Sequence, residues 1–497
     1  MLLLISHRRS PPLPCAVLLR PVALGNSLIT HSGTVDAAVQ SKRGKRSVEE
    51  LAEVTSRESN IRLKLLLKEA GWTNQQVIHA VSKVGAEHGM CIRYTRQSVS
   101  QWVKGHMPQK EVRPLILEAL ARKLGRPIPH SEAGFPAPPP DPNNCPTAEG
   151  LIELGRQDVE RRNFLGASLF TVALTIPDWQ DVVGRMESVQ SGVSHRIGMA
   201  DVQLVTKMTD RLSGVYDDFG GRHTRPMAGT FLADVVAPYL RAEGPTEVRK
   251  AMMSAASYLC YLTGWMAVDE GLHGLAQKYY VKGLELAGAS GDHMTYCHVL
   301  RGISVQAVDL GHGPMAVRLA NAAATVSPQT GPRMRAFMAG QQAHSFAVAG
   351  DRTNALRSIR ETEKAMDKAE STPTTFGGYD PAVLAYHVSQ VRHALGDVSG
   401  SVESLHLHFR LRAPGDTRRS ALRFSSILAE RQLEIGHLEA ACKTWNQVLD
   451  EYPAIHSGRV DRHVASIGPL LRPYQKNPIA RDLYERATLS AKRVKTS

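Results

Sequence analysis

Five glycines, Gly271, Gly311, Gly350, Gly396 and Gly436, recur 40, 39, 46 and 40 residues apart. Five residues after each stands a small residue: Ala276, Ala316, Ala355, Ser401 and Ala441. Seven residues before each stands another: Gly264, Ser304, Ala343, Ser389 and Ala429. Nine residues after each comes Tyr280, Ala320, Ile359, Leu405 or Trp445, all apolar. A fixed period of this length is the mark of a stacked repeat, and the repeat decides the architecture before any single helix does. Glycine ends the first helix of a hairpin, where φ > 0 is needed. The small residues let two antiparallel helices approach closely, and the apolar one fills the gap to the next hairpin.

The small–Gly–small–large spacing resembles the tetratricopeptide repeat, stretched beyond its usual length. Such arrays present concave grooves to peptides and protein surfaces. Aromatic residues make up only 6% of the 497, which also favours packed helices over sheets. The array is expected over residues 151–455, followed by a helical tail at 456–497. Residues 251–268 are uncharged over 18 positions, at the threshold for a membrane helix. They carry Ser254, Ser257, Thr263 and Gly264 and fit the repeat, so a buried core helix is expected and no membrane contact.

Charge separates a second region from the array. Residues 41–130 hold 17 Lys and Arg against 8 Glu and no Asp, a net +9 within a total of +13. A basic segment joined to a nearly neutral remainder points to a polyanionic partner. Within it, Ser59 to Ala70 reads as a helix with Ile61, Leu65, Leu66 and Leu67 on one face, stopped by Gly71. Thr73 can cap a second helix from Asn74 to about Val84, with Val77, Ala80, Val81 and Val84 as its stripe. Gly85 and Gly89 then open a connection. Thr95 caps a third helix, Arg96 to Val103, ended by Lys104-Gly105. Val112 to Leu124 closes the domain. In the third helix Val99, Trp102 and Val103 form the packing seam.

The other face of that helix carries Arg96, Gln97, Ser98, Ser100, Gln101 and Lys104, with no acid. Arginine suits guanine and glutamine suits adenine in the major groove. The first turn of a recognition helix is where such contacts occur. Arg93, Tyr94, Lys104, His106 and Lys110 flank it as candidate phosphate contacts. The expected partner is therefore double-stranded DNA, read by a helix-turn-helix domain at 58–130. Paired half-sites about one helical turn apart make a homodimer the expected form. The proline-rich stretch 134–146 marks a linker within 131–150. Residues 1–57 show no sustained period and are expected to be a disordered extension without a secretory h-region.

The order of these elements resembles the actinobacterial (Streptomyces-type) helix-turn-helix transcriptional regulators with C-terminal tetratricopeptide-like repeats. The residues that carry the likeness are Ala70-Gly71-Trp72-Thr73, Ser98 to Gly105, Leu124-Gly125-Arg126-Pro127 and Arg161-Arg162-Asn163-Phe164-Leu165. Asp218-Phe219-Gly220-Gly221 and Leu262 to Asp269 add to it. The resemblance runs from about 58 to 455. It implies sequence-specific DNA binding and a role in secondary metabolism or differentiation. The array would then bind a protein, a peptide or itself to control activity.

Other classes find little support. The chain has no GxSxG, P-loop, HExxH or GxGxxG motif, so no catalytic residue, cofactor or metal is assigned. Ser194-His195 and His406-Leu407-His408 are read as surface or structural residues. Cys15, Cys91, Cys145, Cys260, Cys297 and Cys442 lack metal-ligand spacing and are read as reduced thiols of a cytoplasmic protein. The alternative is an interaction scaffold that works through the array without specific DNA binding. The fold class is all-α: an N-terminal helix-turn-helix bundle followed by a tetratricopeptide-like helical-hairpin superhelix.

Overall fold

The computed structural model describes residues 59–87, 90, 92–136, 147–159, 170–172, 174, 196–369, 379–412 and 417–496. The extension at 1–57, the proline run after 136, the Arg161–Leu165 motif, Ser194-His195, Cys15, Cys91 and Cys145 lie outside them. The described residues form an all-α fold with no strand, only an isolated bridge between Arg196 and Glu243.

Four helices build the first bundle: α1 Ile61–Glu69, α2 Asn74–Glu87, α3 Arg96–Val103 and α4 Arg113–Leu124. Their shared core holds Leu63, Leu66, Leu67, Val77, Val81, Val84, Val99, Trp102, Leu115, Ile116 and Leu120. The stripe on α1 differs from the expected one. Ile61 and Leu65 are 64% and 60% exposed, while Leu63 and Ala70 are buried in their place. Asn60 explains the shift. Its Oδ1 accepts from the Leu63 N–H (3.0 Å), and its Nδ2 donates to the Ala133 carbonyl (2.9 Å). This cap sets the helix start and turns Leu63 inward.

Gly85 does not open a turn. It lies inside α2, buried, and a Cβ there would come within 2.6 Å of the Ile92 side chain. The helix continues because the glycine is needed for close packing, not for a bend. Gly125 does end α4, in the left-handed region at φ +70°. The bundle also extends past the expected boundary at 130: Ile128, Ala133 and Phe135 are buried in its core.

Thr147–Val159 forms α5, so the helical region resumes inside the segment assigned to the linker. Then come α6 Met199–Phe219, α7 Gly221–Phe231 and α8 Ala237–Arg241, the last two joined by a π-helical turn. From α9 the hairpins follow in regular order. They are α9 Thr246–Asp269 with α10 His273–Ser290, α11 His293–Asp309 with α12 Gly313–Val326, and α13 Pro332–Val348 with α14 Arg352–Met366. Next come α15 Pro381–Ala394 with α16 Val398–Leu411, α17 Arg418–Glu434 with α18 Leu438–Glu451, and α19 Gly458–Leu471 with α20 Pro478–Thr496.

All five reference glycines sit at the hairpin turns with φ between +76° and +88°. The two serines seven residues before a glycine each close the hairpin by a hydrogen bond. Ser304 Oγ donates to the Ala316 carbonyl (3.0 Å), and Ser389 Oγ to the Ser401 carbonyl (2.9 Å). A larger side chain at either position would hold the helices apart. The segment 251–268 is the buried core of α9, and among the described residues no helix is long and apolar enough to cross a membrane. Cys260, Cys297 and Cys442 are buried thiols without a disulfide. His408 is buried with Nδ1 2.7 Å from the Ala382 carbonyl, a structural role.

The expected tail is part of the array. Val460, Val464, Ile467 and Leu471 of α19 and Ala480, Leu483 and Ala487 of α20 share a core with Trp445 and Leu449 of α18. The last hairpins also return to the first. Ser457 donates to Asp269 (2.7 Å), Arg222 pairs with Asp461 (2.7 Å), and the His456 N–H donates to the Phe219 carbonyl (2.7 Å).

Candidate nucleic-acid interface

Helix α3 is held from below and at both ends. Val99 and Trp102 are buried, and the Tyr94 ring meets the Trp102 ring edge-on at 5.4 Å. Tyr94 donates its hydroxyl to Gln109 Oε1 (2.8 Å), so the segments before and after α3 are pinned to each other. Partial burial, with Glu111 adding to it, raises the Tyr94 pKa, so its hydroxyl keeps its proton at neutral pH. The Thr95 N–H donates to Ser98 Oγ (3.3 Å) at the N-terminus. Asn74 at the start of α2 donates to Ser100 Oγ (2.9 Å).

These bonds sort the sequence candidates. Ser98 and Ser100 are half-buried and spend their acceptors on the fold: they fix α3 rather than standing free on its surface. Arg96, Gln97, Gln101 and Lys104 are exposed, and their side chains have no hydrogen-bond or ionic partner among the described residues. At 3.6 residues per turn, the positions from Arg96 through Ser100, Lys104 and Gln97 to Gln101 span an arc of about 140° without an acid. Arg93 and Lys110 are exposed beside it, as is His106. An α-helix with its side chains is about 10–12 Å across, and the B-DNA major groove, about 12 Å wide, admits one.

Sequence reasoning missed Asn74 and Gln109. Asn74 was legible only as the first residue of a capped helix. Gln109 carries no local signal, because its partner Tyr94 lies on the other side of α3.

Glu111 is the acid near this arc, beside Lys110 and acting on Tyr94, whereas Glu87 and Glu118 are paired elsewhere. Arg122 Nη2 pairs with Glu87 (2.8 Å) and its Nε with Glu118 (2.8 Å) on α2 and α4. Glu118 also accepts the Val172 N–H (3.0 Å). Thr171 is clamped to the array: its N–H donates to Gln277 Oε1 (2.9 Å), and Gln277 Nε2 donates to its carbonyl (3.0 Å). Phe170 stacks on His312 with centroids 5.3 Å apart. Among the described residues, Glu118 of α4 thus meets the 170–172 segment that the array holds, and Arg96, Gln97, Gln101 and Lys104 of α3 are exposed. Burial raises the Glu118 carboxyl above its usual range, with Arg122 and the Val172 N–H opposing. Burial, and then Arg122, lowers His312 to about 4, so this joint carries a neutral imidazole at neutral pH.

Among the described residues no group of His, Cys, Asp or Glu could hold a metal ion. Residues 63–136 match the family model of the SP15 N-terminal domain, which spans the bundle and none of the array. No curated protein matches the chain.

Proposed function

We propose that the chain is a sequence-specific, double-stranded-DNA-binding transcription regulator that acts in the cytoplasm, has no catalytic role, and is controlled through its helical array. The observation that carries this reading is the open, acid-free face of α3, with Arg96, Gln97, Gln101 and Lys104 free of internal partners. Arg96 and Gln101 are the base readers; Arg93, Lys104 and Lys110 bind phosphates, while Tyr94, whose hydroxyl proton goes to Gln109, positions the helix. Ser98 and Ser100 keep only a supporting role. A homodimer on two half-sites supplies the contact area that one small bundle lacks. The family resemblance adds secondary metabolism or differentiation as the field of action, and a peptide, a protein or the chain itself as the array's partner.

The test is a mobility shift on duplexes recovered by selection from a random DNA pool. Arg96→Ala should weaken binding by about 1–3 kcal/mol and relax base preference at one position. Lys110→Ala should weaken all sequences alike and lower the slope of log K against log salt by about 1. Light scattering with and without DNA reads the dimer. If the wild-type chain selects no sequence, or Arg96→Ala with Gln101→Ala leaves selection intact, the array alone is the working part and the chain is a scaffold.

A further inference from the structure

Five helices converge on one ionic cluster of the array. Trp265 of α9 lies under two guanidinium groups, Arg459 of α19 at 4.8 Å and Arg301 of α11 at 5.4 Å. Arg301 also stacks on Phe337 of α13 at 4.2 Å. Asp309 of α11 pairs with Arg459, and with Arg423 of α17 at 3.6 Å. Arg462, one turn on from Arg459, is exposed and has no hydrogen-bond or ionic partner among the described residues.

The charges here do not balance. Five guanidinium groups, those of Arg301, Arg419, Arg423, Arg459 and Arg462, stand against three carboxylates, those of Asp217, Asp269 and Asp309. The neighbouring acids are already engaged: Asp217 and Asp269 meet Arg419 at 3.4 and 3.6 Å, and Ser457 donates to Asp269. Arg301 is 7% exposed, donates only to the Tyr261 hydroxyl (2.7 Å), and its Nε is buried without a partner. The Arg459 Nε is likewise buried and unpartnered. Burial raises the Asp309 carboxyl, but Arg459, Arg423 and Arg462 outweigh it and hold it below the usual range. An uncompensated guanidinium away from water is costly, so a cluster of them with aromatic walls is poised for a counter-ion.

We propose that this cluster binds a small oxyanion-bearing metabolite, with its phosphate or carboxylate groups on Arg301, Arg459 and Arg462 and its body against Trp265. Guanidinium forks match both oxyanions in a bidentate way. Such a site exists whether or not the bundle reads DNA, and the two readings fail separately.

The full chain is titrated with pyrophosphate, with citrate and with an acidic octapeptide, following tryptophan emission and thermal midpoint. A saturable response to pyrophosphate or citrate is expected, and the better of the two identifies the class. Arg462→Gln, at an exposed position, and Arg301→Lys, which keeps the charge but loses the fork, should each weaken it at least tenfold. Trp265→Phe should remove the emission change and keep the thermal shift. Arg96→Ala with Lys104→Ala should leave both intact. The proposal is overturned by no response to either small anion, by a response only to the peptide, by one that survives Arg462→Gln, or by one lost with the α3 variant. If Arg301→Lys does not fold, Arg462→Gln decides alone.

Discussion

Trp102 decides whether the rest of α3 is useful, because it is the largest side chain under the helix and only 5% exposed. Trp102→Ala should cost about 3–5 kcal/mol in urea unfolding, the range for emptying a large aromatic site. Ser100→Ala should cost about 0.5–1.5 kcal/mol, one hydrogen bond, and should lower DNA affinity only by loosening the joint to Asn74. Titration sets a second residue-scale expectation. Burial, aided by nearby arginines, lowers His298 to about 3 and His312 and His344 to about 4. These imidazoles are neutral when folded and take up protons on unfolding below about pH 6.5. Their contribution to stability is therefore complete above that pH and falls progressively as pH drops towards 4. Urea midpoints measured between pH 7.5 and 4 should decline across that window, and His312→Gln should flatten part of the decline. A flat profile would mean the rings stay hydrated.

At the scale of the element, the hairpin turn is the unit that the repeat spacing encodes. Gly311 and Gly350 have φ of +76° and +82°, and a Cβ added to either meets nothing within 4 Å. Gly311→Ala or Gly350→Ala should thus cost only the left-handed backbone penalty, about 1–2 kcal/mol. Gly220 contrasts with them. Its φ is +94°, and a Cβ there would overlap the His456 carbonyl, whose own N–H holds Phe219. Gly220→Ala should therefore cost more than either turn variant and should loosen the contact between the first and last helices. Calorimetry on the three variants compares them directly. Equal losses would show that conformational strain, not the approach of the two backbones, sets the cost.

For the whole molecule, the joint between bundle and array is the feature most open to test. Glu118 accepts from Arg122 on one side and from Val172 on the other. Glu118→Ala should leave Arg122 with one carboxylate and the Val172 N–H with no acceptor. We expect bundle and array to unfold in separate calorimetric transitions in that variant and together in the wild type. DNA affinity of each bundle should change little, since α3 lies on another face. A single transition in both would place the coupling in other contacts.

The backbone grammar is local and was readable in the sequence. A glycine that needs φ > 0, a small residue at a helix crossing, and a capped helix with a Val–Trp seam each depend on neighbours within about ten positions. That is why the five turns, the four-helix bundle and the open polar arc of α3 could be read from spacing alone. The same grammar misplaced the α1 stripe, because Leu63 turns inward through the contact of Asn60 with Ala133, 73 residues away. It also read Ser98 and Ser100 as surface groups, since the bond from Asn74 to Ser100 exists only once α2 and α3 cross. Pairing of Arg459 with Asp309, or of Ser457 with Asp269, joins residues 150 and 188 positions apart. Such meetings follow from the curvature accumulated over five hairpins, which no local pattern specifies. The kinds of helices and their order belong to the sequence; which charges share a space, and which remain uncompensated there, was decided by the tertiary structure.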